Sequence, residues 1–138
     1  MITKEISGLR AISENYEIFI LDLWGTIYDG RALFPGIKTL LEQLRKRDKK
    51  VIFLSNSPQL PEVVHQRLGR LGLSTSHYNH LVTSGGEANS QLISMEPKEF
   101  SVFKGTVFEI GPNRFPDTLP KEKSVSYTHL TLPTIYSV

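Results

Sequence analysis

Apolar residues follow two rhythms along this chain, and the two alternate. In the first, short unbroken runs such as Ile18–Leu21 and Val51–Leu54 read as strands bounded by polar residues. In the second, apolar residues fall three or four positions apart and mark helices. Leu9, Ile12 and Tyr16 predict a short leading helix over Gly8–Tyr16, and a strand over Ile18–Leu23 follows it. Residues 25–34 read as a loop. Pro35 then opens a helix whose apolar face is Ile37, Leu40, Leu41 and Leu44. A second strand is expected over Lys50–Leu54. The next helix, Pro61–Leu71, turns Val63, Val64, Leu68 and Leu71 inward and stops at Gly72. His80–Thr83 reads as a third strand, Gly86–Met95 as a helix and Thr106–Ile110 as a further strand. This order predicts an α/β fold: a partial doubly wound parallel sheet with helices on its faces.

Composition narrows the class. With 138 residues, 39% of them hydrophobic, the chain is one globular domain's worth of sequence, long enough for a core. The net charge is +2, with basic and acidic residues intermingled. The only basic cluster, Arg45-Lys46-Arg47 with Lys49-Lys50, falls at the end of a predicted helix, where cations complement the dipole. Nucleic-acid binding is therefore not expected. There is no cysteine, hence no disulfide framework or thiolate metal site. No apolar signal core or membrane-length span is visible, and a cytoplasmic location is the expectation. His65, His77, His80 and His129 lack acidic partners at ligand spacing, so no zinc site is expected.

Two strand ends carry candidate chemistry. The run Phe19-Ile20-Leu21 delivers Asp22 to the carboxyl edge of a strand, where α/β proteins place reactive groups. Gly25 and Gly30 permit a tight turn after it. A carboxylate there also serves as an ordinary turn cap. The second strand ends in Ser55-Asn56-Ser57-Pro58, small donors able to bind an oxyanion without steric cost, or to cap a turn. Asp29 reads as a turn residue before Gly30.

The segment Asp22-Leu23-Trp24-Gly25-Thr26 resembles the first motif of the haloacid dehalogenase-like hydrolases, Asp-x-Asp-Gly-Thr/Val, with Trp24 in place of the second Asp. The aromatic replacement is similar to the Tyr of haloacid dehalogenases. It is also similar to the Trp of a class IIA phosphatase-like subgroup reading Asp-Leu-Trp-Gly-x-Ile-x-Asp-Gly. Gly8-Leu9-Arg10, Phe34-Pro35-Gly36, Val82-Thr83-Ser84-Gly85 and Phe108-Glu109-Ile110-Gly111-Pro112 look like the same subgroup, and Ser55 matches the second motif. The resemblance runs from about Ile6 to Arg114. It implies Asp22 as nucleophile, Ser55 as catalytic and phosphate-binding, and Asn56 and Thr26 as further substrate contacts. It also implies Mg²⁺ held by the Asp22 side chain and the Trp24 carbonyl. The partner implied is a phosphorylated small molecule such as a sugar phosphate.

Trp24 is the departure that matters. Indole donates one N–H and does not titrate usefully, so it replaces no general acid/base. Losing such a group typically slows a reaction about 10²- to 10⁴-fold. The alternatives that stay open are a non-catalytic binding protein of the same fold and a Mg²⁺-independent dehalogenase-type hydrolase. The family's third motif supplies a Lys or Arg and its fourth supplies acidic ligands. Lys121, Lys123 and Asp117 read instead as solvated surface, so the chain by itself is expected to be inactive. Finally, Val125-Ser126-Tyr127-Thr128-His129-Leu130-Thr131-Leu132-Pro133-Thr134 resembles the conceptual translation of a transposase-type sequencing adapter. The expected organisation is therefore the first half of a core domain over 1–95, the start of a cap over 96–124, and a non-native tail over 125–138.

Overall fold

The computed structural model describes residues 5–94, together with the backbones of two strands, Val107–Ile110 and Ser124–Tyr127. Three parallel strands form the main sheet in the order β1 (Ile18–Asp22), β2 (Lys50–Ser55) and β3 (His80–Thr83). Helix α1 (Ile37–Lys46) connects β1 to β2, and α2 (Pro61–Arg70) connects β2 to β3. Helix α3 (Ser84–Ser94) follows β3 without a break. The fold is α/β with a parallel sheet, as the alternation of rhythms predicts.

Boundaries shift where a local conflict arises. The leading segment forms two 3₁₀ turns, Leu9–Ala11 and Ser13–Asn15, in place of an α-helix. Neither has a side-chain cap, and Ser13 Oγ donates to the Arg10 carbonyl, a local bond that competes with helical pairing. Helix α1 starts at Ile37 and not at Pro35, because Gly36 carries a φ of 81°, outside the helical region. Helix α3 begins at Ser84, two residues earlier than expected, and Met95 lies outside the described residues.

Register explains the packing. Residues paired across parallel strands share a sheet face, and faces alternate along each strand. Phe19 pairs with Val51, and Leu21 pairs with Phe53, which pairs in turn with Leu81. This face receives Leu41 and Leu44 of α1 and Val64 and Leu68 of α2, forming a core in which Leu23, Leu41, Val51, Phe53 and Leu68 are fully enclosed. At about 25 cal/mol per Å² of apolar surface, burying each such side chain contributes roughly 1.5–3 kcal/mol before entropy is charged against it.

The other face departs from the expectation of a sheet covered on both sides. Ile18, Ile20, Leu54 and Val82 lie on it and are exposed, Ile20 at 62% and Leu54 at 50%. Unbroken apolar runs fit burial on two faces. Among the described residues, α1 and α2 pack against only one.

Val107–Ile110 (β4) pairs in parallel with Ser124–Tyr127 (β5) in a separate two-stranded sheet. Any extended segment can pair its backbone in this way, so the pairing leaves the origin of residues 125–138 untouched. Thr106, Asp117, Lys121, Lys123 and His129, and most of the stretch assigned to a cap, lie outside the described residues.

Candidate active site

The parallel sheet fixes where the site lies. Asp22 ends β1 and pairs with Leu54, so Ser55 stands one step further along the neighbouring strand. Asp22 falls on the open sheet face and Ser55 on the helix-covered face. A cavity of about 430 Å³ spans the two strand ends and is lined by Asp22, Trp24, Tyr28, Ser55, Asn56, Ser57, Pro58 and Arg67. Within the size range of small-ligand pockets, it brings together the carboxylate, hydroxyl and amide singled out in the sequence. Thr26 does not line it; that residue sits exposed in the turn beyond Gly25.

The β1 loop is shaped by its own backbone. The Leu23 carbonyl lies within hydrogen-bond reach of the N–H groups of Thr26, Ile27 and Tyr28, at 3.3, 2.9 and 3.2 Å, and Gly25 N–H donates back to the Tyr28 carbonyl at 2.9 Å. Leu23, Ile27 and Tyr28 are buried, which anchors the turn in the core. Trp24 projects outward, 63% exposed, its ring edge-on to Tyr28 with centroids 5.8 Å apart. The rim of the indole rests over Gly30, where an added Cβ would lie 2.4 Å from the ring. Gly30 has a φ of 98°, a conformation that strains any other residue, and a side chain there would also have to push the exposed indole aside. Asp29 is a turn residue, its carboxylate accepting from Arg31 and Ala32 N–H at 2.8 Å each. Those bonds, Ala32's first and then Arg31's, hold its carboxyl below the ordinary value of 3.8.

The β2 loop is tied down more tightly. Ser57 N–H donates to Ser55 Oγ at 3.2 Å, leaving the Ser55 hydroxyl proton available to an incoming oxygen. Gln59 N–H donates to Ser57 Oγ at 3.2 Å. Thr83 Oγ1 donates to the Gln59 carbonyl at 2.7 Å and accepts Gly86 N–H at 3.0 Å, while Gly85 N–H donates to the Ser57 carbonyl at 3.0 Å. Gly85 is packed so closely against Pro58 that a Cβ would lie 1.8 Å from its carbonyl oxygen. Thr83-Ser84-Gly85 thus acts as a brace under the Ser55 loop. Arg67 on α2 donates through Nη2 to Gln59 Oε1 at 2.7 Å.

Arg67, Tyr28 and Gln59 are contributions the sequence did not reveal, whereas Ser57 belongs to the run of small donors that closes β2. Two members of the basic cluster at the end of α1 have structural partners: Arg47 pairs with Glu14 at 2.7 Å, and Arg45 donates to Asn79 Oδ1 at 2.8 Å. His65 is hydrogen-bonded to the Tyr78 phenol, which burial pushes up from its usual range. Among the described residues no three His, Cys, Asp or Glu side chains gather as a metal cluster. Asp22 and the Trp24 carbonyl are oxygen donors of the kind Mg²⁺ prefers, yet the described residues supply no further carboxylate beside them. The donors present fit part of a Mg²⁺ site and do not complete one.

A family model described as haloacid dehalogenase-like hydrolase matches residues 19–122. The chain is 27% identical over 105 residues to phosphoglycolate phosphatase 1A, chloroplastic, of Arabidopsis thaliana, covering 75% of this chain and 29% of that protein. It therefore spans less than a third of the length of that curated relative. A solved haloacid dehalogenase-like hydrolase from Brucella suis is 28% identical with a TM-score of 0.62, over 77% of this chain and 36% of that one. A possible sugar phosphatase from Cytophaga hutchinsonii superposes with a TM-score of 0.65 at 16% identity, over 90% and 42% of the two chains. That last likeness concerns the fold alone.

Proposed function

The chain belongs to the haloacid dehalogenase-like hydrolases, and from that premise we propose that the full-length protein hydrolyses phosphate monoesters through an aspartyl-phosphate on Asp22. The observation that supports this is the shared cavity at the ends of β1 and β2, where Asp22 meets Ser55 and Asn56. No hydrogen bond or ion pair among the described residues engages the Asp22 carboxylate, which leaves its oxygens free for attack. In the first step an Asp22 oxygen bonds to phosphorus, the bond from phosphorus to the leaving oxygen breaks, and that oxygen takes a proton from a solvent water, since Trp24 has none to give. Water then cleaves the aspartyl-phosphate, regenerating Asp22 and releasing phosphate. Ser55 donates to a phosphoryl oxygen, and Asn56 offers a neighbouring amide. Mg²⁺, when bound, would neutralise phosphate charge, with Asp22 and the Trp24 carbonyl among its ligands.

The substrate in this reading is a small phosphorylated acid or sugar. The phosphoglycolate phosphatase relative motivates the acid. A cap domain from residue 96 onward, a non-native tail from residue 125 and a cytoplasmic location complete the reading on sequence grounds. Phosphate release from a panel of such monoesters by the full-length protein with Mg²⁺ tests it. Asp22→Asn is expected to abolish release, since an amide is a poor nucleophile, and full activity in that variant would sink the assignment. A second reading, a non-catalytic binding protein, is favoured by Trp24, whose exposed indole stands where a proton-transferring carboxylate would serve the chemistry. Binding without turnover in the wild-type protein would favour it.

A further inference from the structure

We propose that Arg67 is an anion-binding residue of this site, pairing with a phosphate oxygen at Ser55; the inference rests on the phosphate-site reading above. Arg67 lies six residues into α2, yet it lines the cavity at the strand ends. Helical side chains lean toward the helix N-terminus, so a long side chain from the second turn reaches back to the loop that precedes the helix. There its Nη2 donates to Gln59 Oε1 at 2.7 Å.

The tether is what makes this guanidinium distinctive. Gln59 is buried, at 8% exposure, and is held at three points: its carbonyl by Thr83, its N–H by Ser57 and its side chain by Arg67. A neutral amide therefore fixes the position of Arg67 without cancelling its charge. No carboxylate among the described residues pairs with it, whereas Arg47 has Glu14. A half-buried guanidinium in a cavity, oriented and not neutralised, offers its remaining N–H donors to an anion in the forked geometry that suits phosphate.

Its placement selects the partner. Ser55 and Arg67 approach from the helix-covered side, and Asp22 from the open face. A phosphoryl group spanning the strand ends would have the nucleophile on one side and the hydroxyl with the guanidinium on the other. Like charges are thereby kept apart, and the negative oxygens meet the cation.

The test uses inorganic phosphate as probe and Trp24 as reporter, because Trp24 is the single tryptophan and lines the same cavity. Phosphate titration of the chain should change its emission saturably, at constant ionic strength set with chloride. Arg67→Gln should weaken the apparent affinity about 10- to 100-fold, the scale of one lost charged hydrogen bond. Arg67→Lys should recover part of it, keeping charge but losing the fork. Circular dichroism matching the wild type would show that both variants stay folded. Ser55→Ala is the arm that separates the two ideas. Weakening in Ser55→Ala with none in folded Arg67→Gln overturns the role of Arg67 and leaves the phosphate-site reading intact. Weakening in neither, despite saturable binding, overturns both. No saturable response in the wild-type chain overturns the Arg67 proposal, and the activity assay of Asp22→Asn then decides the wider reading alone.

Discussion

Gly85→Ala adds one methyl carbon where backbone already occupies the space. The new Cβ would lie 1.8 Å from the Pro58 carbonyl oxygen, 2.3 Å from its carbon and 3.1 Å from the Gln59 nitrogen. All three are backbone atoms, so no rotamer change relieves the overlap. Either the start of α3 or the 57–59 segment must move, and Gly85 N–H would lose its 3.0 Å bond to the Ser57 carbonyl. Overpacking of this kind costs about 1–3 kcal/mol, and the lost hydrogen bond about 0.5–1.5 kcal/mol more. A total of about 1.5–4.5 kcal/mol is a large part of the roughly 5–15 kcal/mol that holds a domain folded. For a domain of this size the melting midpoint should fall by about ten degrees or more.

Gly69→Ala provides the matched control. Gly69 is an exposed position of α2 with nothing within 4 Å of an added Cβ. The same chemical change there should stabilise by up to about 1 kcal/mol through helix propensity and a less flexible unfolded chain. Thermal melts followed by circular dichroism would read both variants. If Gly85→Ala melts with the wild type, the brace between α3 and the Ser55 loop is not as described.

Other consequences can be checked separately. The open sheet face bearing Ile18, Ile20, Leu54 and Val82 should drive the isolated chain to self-associate; Ile20→Lys should shift sedimentation toward monomer, and a monomeric wild type would count against this. Asp29 should titrate below 3.8 in native-state NMR, because Ala32 and Arg31 N–H groups favour its charged form. A folded value depressed in this way means that its stabilisation of the 29–32 turn is present above the ordinary value and is lost as pH falls through the folded one; Asp29→Asn should remove that acid-side transition. In the full-length protein, Ser55→Ala should lower phosphate release about 10- to 100-fold. Trp24→Asp should raise turnover at similar binding by restoring a proton carrier, and normal binding with no gain would favour the binding-protein reading.

The strands were legible because each is a short apolar run closed by a polar or small residue. Lys50–Ser55 and His80–Thr83 fall within a residue of expectation. The leading helix misled because Leu9, Ile12 and Tyr16 satisfy a helical period by themselves. Nothing in that period reports the missing cap or the Ser13 bond to Arg10 that keeps the segment in 3₁₀ turns. The open sheet face was hidden for a different reason. Ile18 and Ile20 are as apolar as Phe19 and Leu21, and hydrophobicity records what a strand can bury, not which layer is present to bury it.

The site divides along the same line. Asp22 and Ser55 were legible because strand ends are punctuated positions, and a carboxylate or hydroxyl there stands out against the apolar run before it. Arg67 had no such signal. A basic residue on the flank of an amphipathic helix resembles the solvated arginines beside it, such as Arg70. Its place in the cavity is fixed only through Gln59, whose own position depends on Thr83, 24 residues away on β3. Thr83-Ser84-Gly85 attracted notice in the sequence only as part of a resemblance. In the fold its hydroxyl and N–H groups hold the Ser55 loop from beneath, and Gly85 is small because a backbone passes against it. A local pattern can thus mark where a group stands at a strand end. What aims that group is written in contacts between segments far apart in the chain, and those become readable only once the sheet has brought the segments together.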